Sequence, residues 1–258
     1  MRSRDRVVTS DAVTARGDVM KRARDLVFLV DVDNTLLDND RVTGDLRRHL
    51  ELEFGHASAE GYWAIFEELR SELGYADYLG ALQRYRERQQ SEIVDDAPLL
   101  QMSAYLIDYP FARRLYPGAL RVLARLKRLG SVVILSDGDV VFQPRKVQRS
   151  GIRRAVGGNV LIYIHKELKL PAVQRRFPAR HYVMVDDKLR ILAAMKEILG
   201  AQLTTVFVRQ GHYAHDPRAI AGFAPADITL DRIGDLLDVE PSRLAGPRPA
   251  ASTVQEVD

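Results

Sequence analysis

The chain has 258 residues, 46% of them apolar and 28% charged, with a formal net charge of +3. That length allows one large domain or two smaller ones, and the scattered excess of arginine is not the concentrated basic face that nucleic-acid binding needs. Cysteine is absent, which excludes disulfides, thiolate catalysis and cysteine-ligated zinc.

Residues 1–24 are polar and aperiodic and read as a loose tail. Their basic start has no apolar core and does not read as a signal peptide, and no run in the chain approaches the roughly 18 apolar residues of a membrane helix. The cytoplasm is the expected compartment, with no membrane or nucleic-acid partner.

Apolar, β-branched runs then recur: LVFLVDV (26–32), SVVILSD (131–137), VLIYIH (160–165), HYVMVDD (181–187) and LTTVFVR (203–209). Short, nearly continuous runs of this kind are strands buried on both faces of a parallel sheet. Helical patterns separate them. In PGALRVLARLKRLG, Leu120, Leu123 and Leu126 mark an apolar face and Gly130 stops the helix. In DKLRILAAMKEILG, Leu192, Met195 and Leu199 do the same before Gly200. The alternation predicts a doubly wound α/β domain.

About a hundred residues separate the first strand from the second, and they carry helical rather than strand patterns. The predicted division is a core of 25–40 and 113–240, an inserted all-α cap over 41–112, and a second loose tail over 241–258. The insertion holds Trp63, Phe66, Tyr75, Tyr78, Tyr85 and Tyr105. Spacings such as Tyr62–Phe66 and Tyr78–Leu82 are those of packed helix faces. Arg84, Arg86 and Arg88 read as a solvated face, and His212 and His215 as loop residues.

Polar residues gather where three strands end: Asp31 and Asp33, Ser136 and Asp137, Asp186 and Asp187. In a parallel sheet these tips face one way. Carboxylates brought together there repel one another, and a divalent cation relieves the conflict; oxygen donors suit Mg²⁺.

DVDNTLLD resembles the first motif of the haloacid dehalogenase-like (HAD) superfamily, Asp-x-Asp-x-Thr after an apolar strand. VVILSDG resembles its second motif and VMVDD its fourth. HKELK supplies two candidates for the lysine of the third, Lys166 and Lys169. The resemblance spans roughly residues 25–235. It implies a HAD-like Rossmannoid core with a helical cap, in the phosphatase branch of the superfamily, hydrolysing the phosphoric monoester of a small metabolite with Mg²⁺. Asp31 would be the nucleophile that becomes an aspartyl-phosphate, and Asp33 the general acid and base. Ser136, Asp137 and Lys166 would hold the phosphate. The metal would take the Asp31 carboxylate, the Asp33 backbone carbonyl and the acidic pair, with Asp186 or Asp187 as the direct ligand. Asn34 and Thr35 would shape the turn. A phosphomutase or phosphotransferase of the same superfamily, or a non-catalytic phospholigand-binding module, is the alternative, and the oligomeric state is unread.

Overall fold

The computed structural model describes residues 26–88 and 96–246. Six strands form one all-parallel sheet: β1 Leu26–Val30, β2 Ser131–Asp137, β3 Val160–Tyr163, β4 His181–Asp186, β5 Leu203–Val208 and β6 Ile228–Leu230, in the order β3-β2-β1-β4-β5-β6. The chain first builds outward from β1 to β3, then returns to the other side of β1. The order therefore reverses between β1 and β4. A crevice opens at such a switch point, beyond the carboxyl ends of the strands.

Alternation along each strand feeds two cores. Phe28 and Val30 pack with Val132, Ile134, Val183 and Val185 on one face, and Val27 and Leu29 with Val133, Leu135, Tyr182 and Met184 on the other. The helix Ala119–Leu129 covers the first face and Leu189–Leu199 the second. Both faces being apolar explains why the strands read as unbroken apolar runs.

Among the described residues, four α-helices lie between β1 and the helix Ala119–Leu129: Asn39–Phe54, His56–Leu73, Tyr78–Arg88 and Asp96–Asp108. Tyr62, Trp63, Phe66 and Tyr78 are buried, as their helical spacing predicts. The Tyr78 ring lies 4.7 Å from Phe66 and 4.9 Å from Phe142, so the aromatic stack crosses from the helices to the segment after β2. Arg84 and Arg88 pair across the helix surface with Glu72 and Glu68. The chain leaving β1 and the chain returning to β2 run side by side. Asp38 N–H donates to the Arg114 carbonyl at 2.8 Å and Tyr116 N–H to Leu36 at 2.9 Å. Asp45 clamps the returning segment by accepting from Tyr109 and from Arg114.

Two readings of the sequence need correction. The short edge strand β6 carries too little periodicity in three residues to be found. Residues 241–246, placed in the loose tail, are ordered by a helical turn, Pro241–Leu244, whose Leu244 is fully buried against the first core. The predicted tails at 1–24 and 247–258 lie outside the described residues. No helix among the described residues is long and apolar enough to cross a membrane. Leu244→Ala is expected to cost about 2–4 kcal/mol in a urea melt, because the cavity it leaves is only partly refilled; a change below about 0.5 kcal/mol would show that this turn does not pack on the core.

Candidate active site

Asp31 stands one residue beyond β1, and its N–H still donates to the Val185 carbonyl of β4 at 3.0 Å. The sheet therefore sets its position. Val32 then accepts from both Leu36 and Leu37, which folds the chain sharply back. Asn34 at the bend has a left-handed φ of 57°. Asparagine tolerates that region, and its side-chain oxygen accepts the Asn39 N–H at 3.0 Å, opening the next helix. The expected turn role of Asn34 is what the structure shows. Gly211 is required beside it. A Cβ there would lie 2.4 Å from the Asn34 side chain, on a backbone with φ of 70°.

β3 is followed by His165, also left-handed at φ 55°, which turns the chain back across the tip of β2. Lys166 N–H donates to the Asp137 carboxylate at 2.8 Å. Its ammonium reaches 2.5 Å from Asp31 Oδ1 and 2.7 Å from Asp186 Oδ2, and lies within 3.3 Å of the Leu135 carbonyl. Lys169, the other candidate, is exposed at the far end of the same short turn. Burial works against the Lys166 ammonium, but Asp186 and Asp31 outweigh it and hold the lysine charged well above its ordinary range.

One lysine thus faces two buried carboxylates, and a third stands beside them. Single oxygens of Asp31, Asp186 and Asp187 all lie within 4.8 Å of one another. Both Asp187 oxygens are buried with no hydrogen-bond partner among the described residues. Burial, and then the Asp186 charge, push Asp187 well above the usual carboxylate range; burial pushes Asp186 up to about 6. An orphaned buried carboxylate in an all-oxygen cluster fits a hard divalent cation such as Mg²⁺.

The remaining predicted residues spread around this cluster. Ser136 Oγ is 3.4 Å from Asp31 Oδ1 and accepts from Gln143 Nε2 at 2.9 Å. Asp137 faces Lys166 with its carboxylate, and burial raises it above its ordinary range. The Asp33 carboxylate stands outside the three-acid cluster. Lys146 Nζ holds its Oδ1 at 2.6 Å and Gln143 Nε2 approaches its Oδ2 at 3.3 Å.

A cavity of about 300 Å³ opens above, lined by Asp33, Asp187, Lys146, Lys188, Arg70 and His212 among others. Arg70 comes from the helix His56–Leu73 and donates to the Tyr213 hydroxyl at 2.8 Å, so the helical segment and the sheet segment share this wall. His212, read as a loop residue, instead sits in the short helix Gly211–His215. Its N–H donates to Asp40 Oδ2 at 2.8 Å and its Nδ1 lies 2.6 Å from Oδ1. Lys146 and Gln143 were not singled out. Their signal was slight: two polar residues in the same helical stripe as Phe142 and Val147.

A family model of haloacid dehalogenase-like hydrolases matches residues 26–198. The chain belongs to the haloacid dehalogenase-like hydrolases. A member of known structure from Burkholderia xenovorans LB400 is 63% identical, covering 85% of this chain and 98% of its own, with a TM-score of 0.80. The L-2-haloacid dehalogenase of Xanthobacter autotrophicus is 18% identical, covering 83% and 96%, with a TM-score of 0.52. A HAD-hydrolase from Bacillus subtilis bound to magnesium is 17% identical, covering 83% and 98%, with a TM-score of 0.56. The last two share the fold of this hydrolase. None of the curated proteins compared matches the chain.

Saturating Mg²⁺ is expected to raise the melting temperature by about 3–8 °C, since binding to the folded state alone stabilises it. Asp187→Asn should remove most of that rise, whereas an undiminished rise in the variant would move the cation elsewhere.

Proposed function

We propose that this HAD-like hydrolase is a Mg²⁺-dependent phosphohydrolase of small phosphorylated metabolites, working through a phosphoryl group carried on Asp31. The observation that supports this most strongly is the orphaned Asp187 carboxylate beside Asp31 and Asp186, three buried acids against two lysines, Lys166 and Lys188. A haloacid carries one negative charge and loses a halide, which needs neither a proton nor a cation. A phosphate monoester brings about two charges, and its leaving alkoxide needs a proton. A three-carboxylate site with an acid two residues from the nucleophile suits the second substrate.

Asp31, Asp186 and Asp187, with the Asp33 carbonyl, would hold the ion, which when bound neutralises charge on the phosphoryl oxygens and on the cluster. The rest belongs to the chain. The Asp31 carboxylate attacks phosphorus in line, and the bond from phosphorus to the substrate oxygen breaks as Asp33 gives that oxygen a proton. Lys166 and the Ser136 hydroxyl face the phosphoryl oxygens and offset the charge gathered there. Asp33, now ionised, takes a proton from water as the water oxygen attacks phosphorus, which frees Asp31 and releases inorganic phosphate. The cavity of about 300 Å³ suits a metabolite-sized substrate.

A panel of phosphorylated metabolites with Mg²⁺ tests the reading. Phosphate should be released, a chelator should stop it, and Asp31→Asn should abolish it. No chloride should appear from L-2-chloropropionate under the same conditions. Metal-independent halide release with no phosphate release would overturn the proposal.

A further inference from the structure

Lys146 is 1% exposed, yet it lies on the wall of the cavity. Burying an ammonium is costly unless its protons are well received. Here Asp33 Oδ1 receives one at 2.6 Å and Asn39 Oδ1 another at 2.9 Å, while the Phe142 ring lies 5.2 Å away. The helix that presents it, Phe142–Arg149, is itself anchored. Asp139 Oδ1 accepts the Val141 and Phe142 N–H groups, and the Phe142 ring packs between Tyr78 and Phe111. Lys146 is therefore a fixed point, whereas Asp33 is not. Its side chain is 29% exposed and sits on the loop just before the left-handed Asn34.

We propose that Lys146 is the positioning residue of the acid–base Asp33: by binding Oδ1 it turns Oδ2 toward the reacting oxygen and confines proton exchange to that atom. This rests on the phosphohydrolase reading. Gln143 completes the arrangement. Its amide nitrogen lies 3.3 Å from Asp33 Oδ2 and donates to Ser136 Oγ, which in turn lies beside Asp31. The acid, its holder and the nucleophile are thus joined through one helix. A lysine serving only the fold would have no reason to sit against the one carboxylate that handles the leaving group. Loss of a lysine that served phosphate binding would weaken all phosphate substrates alike.

The test compares leaving groups. An alkyl phosphate needs a proton delivered to its departing oxygen, and p-nitrophenyl phosphate does not. For Lys146→Met, kcat/KM for the alkyl phosphate should fall about 100-fold, the effect of a misplaced catalytic group, and for p-nitrophenyl phosphate less than about 3-fold. Asp33→Asn should show the same discrimination, and the double variant should lose no more than Asp33→Asn alone. Lys146→Gln, which keeps a hydrogen-bond donor in the slot, serves as the second variant if Lys146→Met does not fold. Equal losses on both substrates, or additive losses in the double variant, would overturn the assignment while leaving the phosphohydrolase reading in place. Absence of any Asp31-dependent phosphate release from the wild-type chain would overturn both.

Discussion

The contact between the Lys166 ammonium and the carboxylates of Asp31 and Asp186 is the constraint around which the site is arranged. Removing charges from water costs several kcal/mol per ion, and mutual attraction repays it only with good geometry. Here one cation meets two carboxylates at 2.5 and 2.7 Å, and a third acid, Asp187, is left buried without a hydrogen-bond partner among the described residues, with Lys188 as the other cation near it. The protein side of the site is therefore incomplete in charge. It favours whatever brings positive charge into the cluster.

The fold makes this excess possible. Parallel pairing places Asp31 level with the end of β4, because Val30 pairs with Val185 and the Asp31 N–H reaches the same carbonyl. Two left-handed residues then aim the chain. Asn34 turns the loop after β1 into the helix Asn39–Phe54, and His165 brings Lys166 back over β2. Neither conformation is cheap for a residue with a side chain, so the surrounding hydrogen bonds must hold both.

Much of this was legible in the chain. The five longer strands show as apolar runs because both sheet faces are buried, and Asp31, Ser136, Asp186 and Asp187 could be grouped because parallel strands end on one side. Lys166 over Lys169 was not decidable, since the choice depends on which way a single turn faces after β3. Lys146 was missed for a related reason: it reaches the site only through docking, by the seat of the helix Phe142–Arg149. Leu244 misled because the surrounding composition is that of a solvated tail.

Contacts between the helical segment and the sheet segment converge on the same cavity: Arg70 to Tyr213, Tyr78 to Phe142, and Asn39 to Lys146. In the proposed reaction substrate, acid and helical wall would be coupled there, and that reaction presumes a cation at the cluster. A crystal structure grown with Mg²⁺ addresses that directly. The account predicts a six-coordinate ion with carboxylate oxygens of Asp31 and of the 186–187 pair at about 2.1 Å. An ion bound at another place, with Asp31 and Asp187 drawn apart and that cluster empty, would contradict it.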